Sequence, residues 1–336
     1  MTTAAVVGAG SWGTVLAAQF ARLGLPTRLW ARDGALARQI AATRENSRYL
    51  PGIALPDAVL ATGDPAQALA GADLVVVAVP SHFLRGVMVP MAPHIGSRAV
   101  LVSATKGLEP GSALRMSELL SQAVPGPAVA VLSGPSFARE VALGRPTALV
   151  VASSDAGVAR ELQARLSAPP FRLYTNRDVV GVEIGGALKN VMAIATGLSD
   201  GLELGENARA ALITRGLAEI GRLALALGGQ ATTLSGLAGL GDLVLTCTGS
   251  QSRNHRLGYA MARGQSRREA ESSTPMVAEG VRTVTSALKL ATDMGVTMPI
   301  CEQVSAVLFD GRAVPDALQA LLAREPRPEE EGALRA

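Results

Sequence analysis

The sequence predicts an α/β protein in which a doubly wound, mostly parallel β-sheet is followed by an all-helical domain. Two observations lead to this fold class. Short apolar runs alternate with helical stretches in the first half of the 336-residue chain, and no convincing strand follows residue 178. Such alternation is typical of a parallel sheet with helices on its faces. We therefore predict an α/β domain over residues 1–177, a helical domain over 178–324 and a charged, disordered tail over 325–336.

Six strands are predicted from short runs that are rich in Val and Leu and are bounded by Gly, Pro or Ser. They are Ala4–Val7, Thr27–Trp30, Leu74–Val79, Ala99–Ser103, Ala128–Leu132 and Ala148–Ala152. Most of these runs lack polar alternation, as expected for strands that are buried on both faces. Helical patterns lie between them, for example Thr14–Leu23 and Leu114–Ala123.

The second half is predicted to be helical. Apolar spacing predicts helices over Val179–Leu198, Ala208–Leu227, Val281–Met294 and Pro299–Leu308. Glycine is dense up to residue 249, although it costs about 1 kcal/mol in a helix interior. Its abundance predicts closely packed helices, or backbone pressed against a ligand.

Composition excludes several classes of protein. Hydrophobic residues make up 48% of the chain and charged residues 18%, which excludes a disordered protein. The arginines are scattered and aromatics are 3%, so a nucleic-acid surface is not expected. Cys247 and Cys301 are too few for a disulfide framework or a cysteine zinc site, so we predict no metal and a reducing, cytoplasmic location. We see no signal-peptide pattern, and no uncharged apolar run is long enough to predict a membrane span.

A glycine-rich turn follows the first predicted strand. Gly8, Gly10 and Gly13 form a G-x-G-x-x-G pattern between a strand and a helix, the context in which this pattern binds a dinucleotide. The first glycine makes the tight turn, the second admits a diphosphate, and the third lets the helix pack on the strand. The sequence therefore predicts an NAD(P)-binding Rossmann domain with the diphosphate at the helix N-terminus.

The end of the second predicted strand indicates which dinucleotide binds. Arg32 stands where the 2′-phosphate of NADP would lie, and a guanidinium pairs well with phosphate. Asp33 leaves NAD use open, because an acid near this position binds the ribose of NAD. Tyr49, beside Arg48, is predicted either to lie over the adenine or only to pack its loop. The sequence favours NADP(H), with NAD(H) also expected.

Polar residues follow two further predicted strands. Lys106 comes after the strand that ends at Ser103, and Gly134 and Ser136 follow the strand that ends at Leu132. Ligands bind at the carboxyl ends of strands in open α/β sheets, so these loops are predicted to face a ligand.

The helical half carries residues suited to proton transfer. Lys189 is one of only three lysines and lies in an apolar, glycine-flanked helix. An interior lysine must be paired or deprotonated, as a general acid or base near neutral pH requires. Asp242 lies in an apolar stretch that ends at Thr246, and we predict that it orients or pairs with Lys189.

A polar trio follows in the sequence. Ser252, Arg253 and Asn254 suit a phosphate or a carboxylate, the alternative being a solvated loop. His255 is the histidine that an acid–base mechanism would use, but its polar surroundings make Lys189 the preferred residue.

The chain resembles the bacterial NAD(P)-dependent glycerol-3-phosphate dehydrogenases over nearly its whole length. The resemblance is carried by residues 7–14, 104–109, 133–138, 185–190, 239–243 and 251–254. It implies a helical domain of the 6-phosphogluconate-dehydrogenase type. It also implies interconversion of dihydroxyacetone phosphate and sn-glycerol 3-phosphate, which supplies phospholipid synthesis.

The resemblance implies roles for individual residues. Lys189 matches the proton-transferring lysine of the family. Substrate contacts are implied for Lys106, Gly134, Ser136, Asp242, Ser252, Arg253 and Asn254. Cofactor contacts are implied for Ser11, Trp12, Arg32, Lys106, Ala138, Arg253, Val277 and Glu279. We predict in addition that Asn190, with Lys106, polarises the substrate oxygen, that Asp242 is part of the catalytic group, and that Thr246 contacts substrate.

Two other functions stay open at this point. A β-hydroxyacid dehydrogenase shares the two-domain plan, but it uses a Lys-x-x-x-Asn pattern, whereas Lys189 is followed directly by Asn190. A non-catalytic NADP(H)-sensing protein would leave the interior lysine and the polar trio unexplained. The expected partners are a small-molecule substrate and a second copy of the chain, because twofold dimers are the commonest assembly.

Overall fold

The structure, a computed structural model, describes residues 3–272, 277–325 and 328. The chain divides into two compact units. The first comprises Met1–Thr105 and Met116–Val179, and the second comprises Lys106–Arg115 and Val180–Ala336. Apart from Glu325 and Pro328, the predicted tail at 325–336 lies outside the described residues.

The first unit is built on an eight-stranded sheet in the order β3-β2-β1-β4-β5-β6-β7-β8. Its strands are β1 (Ala4–Val7), β2 (Thr27–Trp30), β3 (Val59–Thr62), β4 (Leu74–Val77), β5 (Val100–Ser103), β6 (Ala128–Ser133), β7 (Thr147–Ala152) and β8 (Phe171–Asn176). Neighbouring strands run parallel except for β6 and β7. The predicted fold class, a doubly wound and mostly parallel sheet, is confirmed.

Two strands of this sheet, β3 and β8, are absent from the six that the sequence predicts. They are the two edge strands, and both alternate or mix buried with exposed residues. An edge strand is paired on one side only and is less covered, so it lacks the continuous apolar run that marks the central strands. The prediction that no strand follows residue 178 holds for the described residues, because β8 ends at Asn176.

Helices cover both faces of the sheet. They are α1 (Ser11–Arg22), α2 (Gly34–Thr43), α3 (Pro65–Leu69), α4 (Leu84–Met91), α5 (Met116–Ala123), α6 (Ala138–Ala142) and α7 (Ala156–Leu166). Val6 of β1 belongs to one apolar cluster and Val7 to another, because successive side chains of a strand point to opposite faces. Burial on both faces explains why the central strands carry no polar alternation.

The second unit is helical. Its helices are α8 (Val179–Gly201), α9 (Glu206–Ala226), α10 (Ala231–Leu234), α11 (Asp242–Thr248), α12 (Arg253–Ala262), α13 (Arg267–Ser272), α14 (Glu279–Asp293), α15 (Pro299–Phe309) and α16 (Val314–Leu322). The central helix α8 is long and apolar enough to cross a membrane, but 89% of its most apolar window is buried inside the protein, as in the core helix of a soluble domain.

Glycines bring α8 and α12 into backbone contact. A Cβ atom at Gly197 would lie 2.0 Å from the carbonyl oxygen of His255, and one at Gly258 would lie 2.2 Å from that of Ile194. Since real Cβ atoms do not approach backbone so closely, only glycine permits this packing. The dense glycines of the second half serve close helix packing here, as predicted.

The segment Lys106–Arg115 corrects the predicted domain boundary. The sequence assigns it to the α/β domain, whereas the structure groups it with the helical unit. The physical reason is its packing, because Leu108 is fully buried in the apolar cluster of that unit. The boundary at residues 177 and 178 stays a prediction for the rest of the chain.

Candidate active site

The glycine turn after β1 has the conformation that its pattern predicts. Gly8 has φ +115°, a region that favours glycine, and its N–H donates to the carbonyl oxygen of Trp30 at 3.1 Å. A Cβ atom at Gly13 would lie 1.9 Å from the carbonyl oxygen of Gly8, so α1 starts in direct contact with the turn. The first and third glycines are thus required by the backbone itself.

The turn fits the diphosphate of a dinucleotide. Gly10 is the N-cap of α1 without a side-chain hydrogen bond, and no atom lies within 4 Å of where its Cβ would be. The backbone at Gly10 is therefore open to the approach of a ligand, and the helix N-terminus that follows attracts an anion. The buried Nε1 of Trp12 has no hydrogen-bond partner in the described part of the chain, which leaves a donor beside this turn.

Asn46 holds the turn in place and was not found by sequence reasoning. Its buried Nδ2 donates to the carbonyl oxygen of Ala9 at 2.9 Å and to Oγ1 of Thr14 at 2.8 Å. Its Oδ1 accepts from the N–H of Tyr49 at 3.2 Å. One amide therefore links the turn to the loop of Tyr49, through contacts that no local pattern reveals.

Arg32 and Asp33 differ in how they are engaged. The guanidinium of Arg32 is exposed and lies over the ring of Phe83, 4.8 Å from its centre. The Oδ1 of Asp33 caps α2 by accepting from the N–H groups of Ala35 at 2.9 Å and Leu36 at 3.4 Å. Asp33 is thus the N-cap of α2, whereas the exposed guanidinium of Arg32 can reach an anion.

The remaining predicted residues of the first unit lie in two loops. Tyr49 is half-buried, and Arg48 lies over its ring at 5.2 Å from the centre. Gly134 has φ +127°, and its carbonyl oxygen accepts from Oγ of Ser136 at 2.9 Å. Ala138 begins α6. The loop of Gly134 follows β6, at the carboxyl end of that strand, as the sequence predicts.

In the helical unit, the structure brings Lys189 and Asp242 together. Asp242 is fully buried and Lys189 is 6% exposed. The ammonium of Lys189 donates to Oδ1 of Asp242 and, at 2.9 Å, to Oγ1 of Thr246. The Thr246 hydroxyl in turn donates to the carbonyl oxygen of Asp242 at 2.6 Å. The predicted pairing of the interior lysine with this carboxylate is present.

Lys106 completes this lysine–carboxylate cluster. Its Nζ lies 2.7 Å from Oδ2 of Asp242, so each oxygen of that carboxylate accepts from a different ammonium. Asn190 donates from Nδ2 to the carbonyl oxygen of Lys106 at 3.4 Å. Two lysines that are 83 positions apart in the sequence thus share one buried carboxylate.

The cluster alters the pKa of Lys189. Its pKa is lowered from 10.5 to about 7; burial is the largest cause, Asp242 opposes the shift, and the charge of Lys106 contributes to it. An amine with a pKa near neutrality is present in both protonation states at physiological pH, so it can give or take a proton.

Glycines and a π-helical turn place Asp242 beside Lys189. The turn Leu237–Gly241 runs directly into α11, of which Asp242 is the first residue. A Cβ atom at Gly185 would lie 2.8 Å from the carbonyl oxygen of Ala238, so the turn packs against α8 one helical turn before Lys189. Gly185 therefore permits the close approach of the turn that leads into Asp242.

A chain of amides connects Asn190 to the starts of two helices. Asn254 of α12 donates from Nδ2 to Oδ1 of Asn190 at 2.9 Å. Its Oδ1 accepts from the N–H of Gly280, near the start of α14, at 3.0 Å. A Cβ atom at Gly280 would lie 2.6 Å from the carbonyl oxygen of Asn190, so this approach also requires glycine.

The polar trio is an ordered helix start rather than a solvated loop. Ser252 is buried and its hydroxyl caps α12 by accepting from the N–H of His255 at 3.3 Å. Burial lowers the pKa of Arg253, and the charge of Glu279 opposes this shift. Glu279 is the first residue of α14, and Val277 precedes it by two positions.

His255 is engaged away from the lysine–carboxylate cluster. Its Nε2 lies 2.6 Å from Oδ2 of Asp200, which also accepts from Nε of Arg209 at 3.1 Å. Asp200 of α8 thus links His255 of α12 to Arg209 of α9. Lys189, rather than His255, shares a carboxylate with a second predicted site residue.

The predicted site residues thus fall into two groups, each within one unit. The first unit holds the glycine turn, Arg32, Tyr49, and the loop of Gly134, Ser136 and Ala138. The helical unit holds a bonded network made of Lys106, Lys189, Asn190, Asp242, Thr246 and Asn254, together with the start of α12. A dinucleotide-binding turn and a buried lysine with a pKa near 7 are typical of nicotinamide-dependent dehydrogenases. These two features place the protein in that class.

Comparison with known proteins specifies the class further. Residues 3–159 match the N-terminal part of NAD-dependent glycerol-3-phosphate dehydrogenase, and residues 178–319 match its C-terminal part. The chain therefore belongs to the NAD-dependent glycerol-3-phosphate dehydrogenase family.

Individual relatives agree with this assignment. The chain is 52% identical over 328 residues to the glycerol-3-phosphate dehydrogenase [NAD(P)+] of Xanthomonas campestris, which covers 97% of this chain and 96% of the relative. It is 50% identical to that of Geobacter sulfurreducens, over 96% and 98% of the two chains. The solved glycerol-3-phosphate dehydrogenase of Coxiella burnetii superposes with a TM-score of 0.93 at 43% identity, covering 96% and 99%.

Proposed function

We propose that the protein is an oxidoreductase that interconverts dihydroxyacetone phosphate and sn-glycerol 3-phosphate with an NAD(P) cofactor. The product would supply phospholipid synthesis. The observation that carries the proposal is the buried ammonium of Lys189, which shares Asp242 with Lys106 in a chain of this family. The relatives that carry the same activity in their names are about half identical to the chain over nearly its full length.

Lys189 moves the proton. In the reductive direction its ammonium protonates the oxygen that forms at C2 of the substrate, and in the oxidative direction its amine removes that proton. Its pKa is lowered to about 7, chiefly by burial, so both forms are present near neutral pH. Asp242 and Thr246 orient the nitrogen, because both accept hydrogen bonds from it.

Lys106 and Asn190 stabilise the developing charge on the substrate oxygen. The ammonium of Lys106 is held by Asp242, and Asn190 is held by Asn254 and by the backbone of Lys106. Donors that are fixed before the reaction need no reorganisation as the charge develops, which is the usual source of such stabilisation.

Arg253, Ser252 and Asn254 bind the substrate phosphate at the start of α12. A guanidinium and a helix N-terminus both favour a dianion. Gly134 and Ser136 contribute a backbone and a hydroxyl group from the loop after β6. Phosphate contacts of this kind fix the reacting carbon in place.

The residues that would hold the cofactor are those of the glycine turn, with Ser11, Trp12, Ala138, Arg253, Val277, Glu279 and, over the adenine, Tyr49. When bound, the nicotinamide cofactor supplies the hydride. Arg32 binds the 2′-phosphate of NADP, since its guanidinium is exposed while the carboxylate of Asp33 caps a helix. NADP(H) is therefore the proposed cofactor, with NAD(H) also used.

The test is oxidation of NADPH and of NADH by the purified protein with dihydroxyacetone phosphate. We expect turnover with both cofactors and a lower KM for NADPH. Arg32→Ala should raise the KM for NADPH about 10- to 100-fold and leave that for NADH nearly unchanged. Cofactor binding without turnover of this substrate would defeat the proposal and favour a sensing protein or another substrate.

A homodimer and a cytoplasmic location are further parts of the proposal. Twofold dimers are the commonest assembly of soluble proteins. Cys247 and Cys301 are both free and buried, as in a reducing compartment. Sedimentation equilibrium measures the first of these, and fractionation of the producing cells the second.

A further inference from the structure

The segment Lys106–Arg115 joins the lysine–carboxylate cluster to the helical unit. Its two ends are linked by an antiparallel bridge between Leu108 and Arg115. The N–H of Glu109 also donates to the carbonyl oxygen of Leu114 at 2.9 Å. The segment is therefore a small hairpin that links Arg115 to the arm carrying Lys106.

Several contacts fix this hairpin to the helical unit. Leu108 is fully buried in its apolar cluster. The hydroxyl of Ser286 donates to the carbonyl oxygen of Glu109 at 3.2 Å. A further polar contact is an ion pair, in which Nη1 of Arg115 lies 2.9 Å from Oε2 of Glu183.

This ion pair is buried and joins the hairpin to the helix that carries Lys189. The side chain of Glu183 is 4% exposed and that of Arg115 is 17% exposed. Glu183 lies on α8, six positions before Lys189. A buried ion pair contributes little net stability compared with apolar residues, but it permits few alternative geometries.

We propose that Arg115 and Glu183 are positioning residues, whose ion pair fixes the hairpin on α8 so that the ammonium of Lys106 stays on Asp242 beside Lys189. Neither residue belongs to the cluster itself. Their effect is exerted through Lys106, which is two positions from the bridge that Arg115 forms. The consequence for turnover rests on the proposed function, whereas the consequence for Lys189 does not.

The charges around Lys189 set the direction of the expected effect. Asp242 faces it from α11, and Lys106 faces it from the hairpin. The thiol of Cys247 on α11 is neutral, because burial raises its pKa to about 12. The charge of Lys106 lowers the pKa of Lys189, so a Lys106 that moves away lets this pKa rise.

Two single variants test the proposal, Glu183→Gln and Arg115→Gln. Glu183→Gln removes one charge with little change of shape, and Arg115→Gln removes the opposite charge together with the guanidinium. The pH dependence of acetylation by acetic anhydride, measured by mass spectrometry, reports the protonation midpoint of Lys189. Since the chain has only three lysines, the half-exposed Lys289 serves as the internal reference for reagent reactivity. This readout needs neither substrate nor turnover.

In both variants we expect the midpoint of Lys189 to rise by about 0.5 to 1 pH unit above that of the wild type. Arg115→Lys keeps the charge and should restore most of the wild-type value. The matched control is Glu161→Gln, which breaks a half-exposed ion pair with Arg165 on α7 and should leave the midpoint unchanged.

The outcomes separate this inference from the proposed function. An unchanged protonation midpoint of Lys189 in folded Glu183→Gln and Arg115→Gln overturns the inference. The same holds if these variants lower only the melting temperature, because the ion pair would then serve stability alone. If Glu183→Gln fails to fold, the more exposed Arg115 still provides the test. A wild type that does not reduce dihydroxyacetone phosphate defeats the proposed function, while the acetylation midpoints continue to decide the positioning role.

Discussion

Two buried carboxylates in the helical unit show how differently the same group can be stabilised. Asp242 is fully buried and each of its oxygens accepts from a lysine ammonium. Glu219 is 2% exposed, and its oxygens accept from the N–H groups of Ile300 at 2.7 Å and Cys301 at 3.3 Å, in the first turn of α15. Asp242 therefore binds two charged side chains, whereas Glu219 caps the N-terminus of a helix.

The difference shows that burial alone does not identify a site. Burial raises the pKa of Glu219 to about 7, only partly offset by its two N–H donors and by Arg222. Glu219 also lines a largely apolar cavity of about 640 Å³, yet none of the predicted site residues lines that cavity. What distinguishes the region of Asp242 is that both of its partners are lysine side chains. The proposed function assigns proton transfer to one of them, Lys189.

The largest effect is expected at the partner of Asp242. Lys189→Met removes the proton donor but keeps an unbranched apolar chain of similar length, so kcat should fall about 10²- to 10⁴-fold. Steady-state reduction of dihydroxyacetone phosphate measures it, with cofactor affinity as a check on folding. Lys289→Met, which removes a half-exposed lysine paired with Asp293, is the matched control. Near-normal turnover of Lys189→Met would mean that the carboxylate of Asp242, like that of Glu219, has only a structural role.

The next largest effect is expected at Asp242 itself. Asp242→Asn replaces one accepting oxygen by an amide nitrogen, which leaves a buried ammonium without its partner. Breaking a buried ion pair in this way costs about 3–5 kcal/mol of unfolding free energy, to be measured by denaturant titration. Loss of the negative charge also lowers the pKa of Lys189, because Asp242 raises it in the wild type.

The pH profile sharpens this second prediction. In the proposed reaction, reduction requires protonated Lys189, so kcat/KM should fall as pH rises through about 7 in the wild type. In Asp242→Asn the fall should occur at lower pH, opposite in direction to the shift expected for Glu183→Gln. A fall at the wild-type pH would mean that Asp242 does not set the charge state of Lys189.

The predicted site residues and Glu219 also differ in how far the sequence reveals them. The glycine turn and Lys189 were predicted because local spacing or a rare residue type marks them. Asp242 was found as a lone carboxylate in an apolar stretch, although its bond to Lys189 spans 53 positions. Glu219 was not singled out, because its partners are backbone N–H groups about 80 positions away, which leave no side-chain pattern.

Other contacts were missed for the same physical reason. Asn46 holds the glycine turn from 37 positions away, and the ion pair of Arg115 and Glu183 spans 68 positions. Asp33 leaves NAD use open in the sequence, and the structure shows in addition that it caps α2. The edge strands β3 and β8 were missed because partial exposure removes the apolar run. Local backbone requirements are therefore readable from the sequence, whereas long-range polar pairs require the fold.

The smallest effect is expected at Glu219, which should change stability with pH but not turnover. Its carboxyl releases its proton near pH 7 in the folded state and near 4.5 in the unfolded chain. Between these values the folded state binds more protons, so the unfolding free energy contributed by this group falls as pH rises, by up to about 3 kcal/mol.

Glu219→Gln isolates this contribution, because glutamine is neutral throughout and the rest of the chain titrates alike in both proteins. Its stability relative to the wild type should increase as pH rises from 4.5 to about 7. We expect kcat within about twofold of the wild type, because the carboxylate of Glu219 accepts from the backbone of Ile300 and Cys301. Parallel urea titrations at a series of pH values measure the difference. A constant difference would mean that Glu219 is charged in the folded protein, and that α15 stabilises this carboxylate as fully as the two lysines stabilise Asp242.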